Sequence, residues 1–406
     1  MRGLITHLHS SELVARFQRA CGLYPATRAE DKSVHSHSVD GHPVPNGNAS
    51  VHRHRAEAGT GKLNGGTREQ DSNSNYKCSV SSGDAKEYVV RSRPLHFLFL
   101  VSAALGNEVF YISFLPCLHW NLDPFLCRRC ANIWAVVMYV GQVLKDVLKL
   151  PRPLAPPVVK LERRVDAEYG LPSTHAMAAT AISFTLLLSA PQRVQFQWEV
   201  GLFLAVLLSV LVCLSRLYTG MHSALDVICG VLLTAVVMAT SYPLWPWLDE
   251  VQLHSRFSPV LALVVPVLLC GAYPELDHYS TTRGDTTIIM GVASGCWLGY
   301  WLNQQRGRTF EPEGPLPVPL PSLTAASCVQ GAARFALGLS VLLATRQSVR
   351  WTSLALVCRC YGESPSNPEA RRRKEIEVVY KFVTYAAVGL VNTVLVNRLF
   401  LLLGLL

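Results

Sequence analysis

Beyond residue 94 the chain is a succession of long apolar runs separated by short polar stretches. The runs cover 95–115, 131–148, 176–190, 201–214, 225–245, 260–273, 286–302, 325–344 and 382–406. Most approach the roughly 20 residues that a helix needs to cross a bilayer. A further apolar stretch, 351–357, is too short to span alone and reads as interfacial. The pattern predicts an all-α polytopic membrane protein with about eight to ten transmembrane helices, about nine by default.

Residues 1–94 read differently. They are rich in Gly, Asn, Ser, His and charge, with no sustained apolar period. Such a segment cannot bury enough surface to offset its chain entropy, so a disordered polar tail is expected ahead of a transmembrane domain over 95–406. The tail lacks the apolar core of a signal peptide, and insertion through the first span is expected. Leu4, Leu8, Leu13 and Phe17 recur at nearly helical spacing near Arg16 and Arg19. That stretch reads either as a short membrane-surface helix or as a fraying amphipathic stub. His35, His37, His52 and His54 resemble metal ligands only by number, and a solvated tail is the expectation. Asn48-Ala-Ser50 is a glycosylation acceptor whose sugar would report a lumenal tail.

Composition supports the membrane reading. Of 406 residues half are hydrophobic and only 16% charged, a balance unlike that of a soluble enzyme. The formal charge of +9 is scattered between apolar runs. No nucleic-acid partner is therefore expected; anionic lipid, the bilayer and phosphate fit better. Twelve cysteines are dispersed without a disulfide framework. Cys127 with Cys130, and Cys358 with Cys360, read as inert or acylated thiols. Pro312, Pro315, Pro317, Pro319 and Pro321 predict a stiff extended spacer. Gly291, Gly295 and Gly299 place close-approach positions on one helix face, for packing within the chain.

Three strings carry chemistry: Lys145-(x6)-Arg152-Pro153, Pro172-Ser173-Thr174-His175, and Ser215-Arg216-(x5)-His222-(x3)-Asp226. The first closes one apolar run and the second opens the next. With two crossings between His175 and His222, all three emerge on one membrane face. Phosphate monoesters carry close to two negative charges, and enzymes accelerate their hydrolysis by up to on the order of 10^21-fold. Lys145, Arg152 and Arg216 supply three positive charges for such a group. No carboxylate cluster accompanies the strings, so neither metal nor cofactor is expected, the cations standing in for the ion. His222 and Asp226 share a helix face, and an imidazole backed by that carboxylate is a candidate nucleophile. His175 is placed to protonate the leaving alkoxide and later deprotonate water. Ser173, Thr174 and the amides opening the 176–190 helix complete the phosphate contacts.

The strings match the KxxxxxxRP, PSGH and SRxxxxxHxxxD signature of the type 2 phosphatidic acid phosphatase superfamily. Every charged position is present, and Thr174 stands where the wider pattern has Gly. Flanking text resembles the sphingosine-1-phosphate phosphatase branch: Trp120-Asn-Leu-Asp-Pro124, Pro156-Pro-Val-Val-Lys-Leu-Glu162, Val212-Cys-Leu-Ser-Arg216 and Arg283-Gly-Asp-Thr286. Thr174 is normal in that branch, and the tail keeps its Val14-Ala-Arg-Phe-Gln-Arg19. The resemblance implies the superfamily's helix bundle and an endoplasmic reticulum enzyme without a metal, converting sphingoid-base phosphates to sphingosine and phosphate through a phosphohistidine. The alternatives are a broad phosphatase for phosphatidate or polyprenyl phosphates, and a non-catalytic lipid-phosphate binder or transporter. Two spans before Lys145 put tail and site on one face, whereas a lumenal site and a cytosolic tail would put them on opposite faces.

Overall fold

Helices account for nearly all regular structure. The computed structural model describes residues 2–26, 88–162, 168–312, 314–320 and 324–405. In chain order the helices are α1 (Arg2–His9), α2 (Ser11–Ala20), α3 (Arg93–Leu105), α4 (Glu108–Asn121), α5 (Pro124–Leu148), α6 (Thr174–Ser189), α7 (Trp198–Tyr218) and α8 (Ala224–Ser241). They continue as α9 (Trp245–His254), α10 (Ser258–Gly271), α11 (Thr282–Gln305), α12 (Ala325–Cys360), α13 (Pro368–Arg372), α14 (Lys374–Leu390) and α15 (Val396–Leu402). Two short strand pairs join β1 (Leu23–Pro25) to β2 (Tyr88–Val90) and β3 (Val194–Gln195) to β4 (Val318–Pro319).

Among the described residues, five helices are long and apolar enough to cross a membrane, and a sixth span arises if α3 and α4, bent by 65°, count together. α6 is too short for that criterion, yet it is sheathed by α5, α7 and α8 and most of its side chains are buried. Leu202, Phe203, Leu204 and Val206 on α7 and Leu261, Val264 and Leu268 on α10 are exposed, a surface that suits lipid. The stretch 351–357 is not a separate interfacial segment. It continues the 325–344 run in the 36-residue α12, about 54 Å at the usual rise and longer than the hydrocarbon core. The polar interruption is tolerated because Arg346 donates to the Tyr385 hydroxyl at 3.0 Å.

α5 is the central beam. Its N-terminus is set by Pro124 and by Asp123, whose carboxylate accepts from Phe125 N at 2.7 Å. One face packs Ile133 and Val137 with Met177, Ala181, Met238 and Trp245, joining it to α6, α8 and α9. Another packs Ala135 with Cys270, Ile289, Met290 and Phe382. Cys127 and Cys130 are buried, the former donating to Leu115 O at 3.1 Å. In the proline-rich spacer Val318 and Pro319 run extended as β4 and pair with β3, whereas 314–317 bend. The glycine stripe packs within the chain: a Cβ on Gly291 would stand 2.9 Å from Phe382 O, and one on Gly295 would overlap Ala386 O.

Residues 2–25 do not follow the expectation of a disordered tail. α2 is amphipathic enough to bury Val14 and Ala15 against Val158. Gln18 is buried with both ends satisfied, donating to Val159 O at 2.7 Å and Tyr218 O at 2.8 Å and accepting from Val159 N at 2.9 Å. Ser11 Oγ accepts from Leu154 N at 2.9 Å. The stretch is thus a docked helix pair and not a frayed stub. Its contacts with Leu154, Val159 and Tyr218 put it at the end of the bundle that carries the three strings. The four tail histidines and Asn48 lie outside the described residues.

Gly295→Leu should force α11 and α14 apart and lower stability by about 3 kcal/mol or more. Thermal unfolding of the detergent-solubilised protein measures this, and an unchanged midpoint would contradict the close packing.

Candidate active site

The three strings meet around the N-terminus of α6. Lys145, at the last turn of α5, reaches Thr174 Oγ1 at 3.4 Å. Arg152, in the irregular segment that follows, donates to Met221 O at 3.1 Å and so touches the loop carrying His222. Ser173 N donates to Asp226 O at 3.0 Å, fastening the start of α6 to the start of α8. Gly230 permits that approach, since a Cβ there would stand 2.9 Å from Ser173 O. Arg216 arrives from the end of α7 and is 1% exposed. His175 occupies the first turn of α6, half-buried, within electrostatic reach of Arg216, His222, Lys145 and Arg152. Its ring fits because residue 106 is glycine: a Cβ there would lie 3.3 Å from His175 Cδ2.

His222 departs from expectation in its partner. Its Nδ1 lies 3.0 Å from Gly170 O but 3.6 Å from Asp226 Oδ2, the latter beyond a normal hydrogen bond. A carbonyl only accepts, so Nδ1 carries the proton and Nε2 presents its lone pair. Asp226 instead closes a capping box: its Oδ2 accepts from Ser223 N at 2.7 Å while Ser223 Oγ accepts from Asp226 N at 3.2 Å. It therefore acts on His222 through charge and not as the acceptor. Burial, reinforced by Arg152 and Lys145 and opposed by Asp226, holds the His222 imidazole down at about 4.

Two single carboxylates that the strings do not include stand beside the cations. Glu168 Oε2 lies 3.4 Å from both Lys145 Nζ and Arg152 Nη2, and Glu162 Oε1 lies 3.5 Å from Arg216 Nη2. They are spread over the cations and not gathered, and among the described residues no three His, Cys, Asp or Glu side chains form a metal-ligand set. Burial pushes the Glu168 carboxyl up, but Lys145, Thr281 and Arg152 together hold it below its ordinary value. Two buried donors, Ser173 Oγ and Arg216 Nη2, have no hydrogen-bond partner among the described residues. Buried polar atoms are rarely left so, and donors around three cations suit an anionic ligand. Glu168, Gly170 and Gly106 lie in irregular segments, where no period or motif marks them.

The PAP2 superfamily model matches residues 128–250, the segment holding all three strings. The chain is 47% identical to sphingosine-1-phosphate phosphatase 2 of Homo sapiens over the whole of both chains. It is 35% identical to sphingosine-1-phosphate phosphatase 1 of Mus musculus, over 99% of this chain and 97% of that one. A dihydrosphingosine 1-phosphate phosphatase of Schizosaccharomyces pombe is 30% identical over about half of each chain, 51% and 52%. No solved structure matches. Fold and site together define a membrane-embedded phosphatase of the PAP2 superfamily. Within it, the chain belongs to the sphingosine-1-phosphate phosphatase family, and it is more similar to isoform 2 than to isoform 1.

Because the folded value of His222 lies below the ordinary 6.5, the ring stays neutral until pH falls towards about 4. The acid limb of kcat/KM, corrected for the substrate's own second ionisation, should lie below about pH 5. A limb at the ordinary histidine value would contradict the buried, neutral ring.

Proposed function

We propose that the protein removes phosphate from sphingosine 1-phosphate and related sphingoid-base phosphates, giving sphingosine and inorganic phosphate, in the endoplasmic reticulum membrane. The observation that carries this reading is the convergence of Lys145, Arg152 and Arg216 on the start of α6, beside an imidazole whose Nε2 is unprotonated.

The phosphoryl group sits among the three cations, with Ser173 Oγ, Arg216 Nη2 and the first amides of α6 donating to its oxygens, and Thr174 beside Lys145. His222 Nε2 attacks phosphorus in line. The bond from phosphorus to the lipid oxygen breaks, and His175, entering the step as the imidazolium that the bound phosphate dianion favours, gives that oxygen its proton, so the alcohol leaves neutral. Water then attacks the phosphohistidine and loses a proton to His175. Phosphate departs, restoring both rings. Asp226, 3.6 Å from Nδ1, opposes the positive charge that His222 bears while phosphorylated. No step calls for a metal, and the lipid chain remains among the helices.

Purified protein should release phosphate from sphingosine 1-phosphate in EDTA as fast as without it. His222→Ala should lower kcat by on the order of 10^4-fold or more. Loss of activity on chelation, or an active His222→Ala, would overturn the mechanism. Equal or faster turnover of phosphatidate or polyprenyl phosphate in matched micelles would overturn the substrate assignment.

A further inference from the structure

Glu168 has no part in the steps above, yet it stands at their centre. Its side chain is 13% exposed, its Oε2 is 3.4 Å from Lys145 Nζ and from Arg152 Nη2, and its Oε1 accepts from Thr281 Oγ1 at 2.7 Å. Its own backbone carbonyl accepts from Arg152 Nε at 3.0 Å. Glu168 also lines a cavity of about 430 Å³ together with Pro151, Arg152, Lys160, Tyr169 and His278. The carboxylate therefore borders, beside Arg152, an open space large enough for a headgroup.

Charge balance gives this position a consequence. Both of its ion pairs are longer than the roughly 2.7–2.9 Å of a committed charge-assisted bond. A phosphate dianion entering the cluster competes for the same two cations. As Lys145 and Arg152 turn towards it, Glu168 is left buried and short of positive charge, which is unfavourable unless a new cation arrives. Sphingoid-base phosphates bring one. Their ammonium is on the carbon next to the one bearing the phosphate ester, so a carboxylate that reads it must flank the phosphate's own cations. Glycerolipid and polyprenyl phosphates carry no such group.

We propose that Glu168 accepts the substrate's ammonium and selects amine-bearing lipid phosphates over those without an amine. This rests on the substrate class proposed above. It assigns Glu168 a recognition role, with the thiol- and metal-free chemistry of His222 unchanged.

The test compares kcat/KM for sphingosine 1-phosphate with that for a single-chain alkyl phosphate of equal length lacking the amine. Purified full-length wild type, Glu168→Gln and Glu168→Asp are assayed in the same mixed micelles. The ratio of the two substrates within one sample is independent of how much protein is folded. Wild type should prefer the amine, Glu168→Gln should lower that ratio by about tenfold or more, and Glu168→Asp should retain part of it. A ratio unchanged in Glu168→Gln, with both substrates falling together, would mean that Glu168 only props Lys145 and Arg152, and overturns the proposal. A wild type that hydrolyses sphingosine 1-phosphate without preferring the amine also overturns it, and leaves the proposed function standing. A wild type that hydrolyses only the alkyl phosphate overturns both.

Discussion

Three cations held inside the protein instead of at its surface are the constraint from which the rest of the structure follows. Lys145 and Arg216 are each 1% exposed, and a charge so placed costs several kcal/mol unless it is partnered. The partners are Glu168 and Glu162, at 3.4 and 3.5 Å. Those distances keep the cations in place without saturating them. The other end of α5 shows what saturation looks like. There Arg193 bonds Asp123 at 2.6 Å and Glu311 at 2.8 Å, Arg129 bonds Asp249 at 2.9 Å, and the Arg129 and Arg193 guanidiniums lie 4.3 and 4.9 Å from the centre of the Phe125 ring. In that cluster the ion pairs of Arg129 and Arg193 are short and committed. The loosely paired end is the one that can exchange carboxylate for phosphate.

α5 therefore carries two polar layers about 26 Å apart, from Arg128 to Lys145 at the usual helical rise, with apolar packing between them. The later helices reach the reactive layer through Asp146, adjacent to Lys145. Asp146 Oδ2 accepts from Tyr273 OH at 2.7 Å and from Thr282 Oγ1 at 2.5 Å, which fixes the start of α11. Thr281, the residue before, is thereby brought to Glu168. The N-terminal helices reach the same layer from the other side, Gln18 joining Val159 to Tyr218 two residues beyond Arg216. The site is thus held by contacts contributed from residue 18 to residue 282, although its three strings lie between 145 and 226.

What was legible in the sequence was local. Charge spacing within each string, and the parity of spans between them, are properties of short stretches, and the structure brings all eight named residues together. Helix ends were less legible because caps and packing set them. Arg346 interrupts an apolar run on paper, but a partner on α14 lets α12 run straight through. Gln18 was invisible for the opposite reason: it looks like one more polar residue in a polar tail, and its partners are 141 and 200 residues away. Glu168 and Gly170 sit in irregular backbone, where no period exists to mark them.

Orienting His222 by a carbonyl instead of a carboxylate has a chemical consequence. The Gly170 oxygen fixes the tautomer while adding no formal charge, so the ring keeps a free Nε2 without gaining basicity from a directly bonded anion. Burial then holds it neutral at about 4, which a nucleophile facing a phosphate dianion requires. A directly bonded Asp226 would favour the imidazolium, and that cation would join the three others as an anion binder with no lone pair to give. At 3.6 Å, and committed to Ser223 N at 2.7 Å, Asp226 stays far enough to leave the resting ring unprotonated and near enough to stabilise it when the phosphoryl group makes it positive. Gly170 is what allows both residues to occupy these positions: a Cβ there would stand 3.0 Å from Asp226 Oδ2 and crowd the carboxylate against its cap.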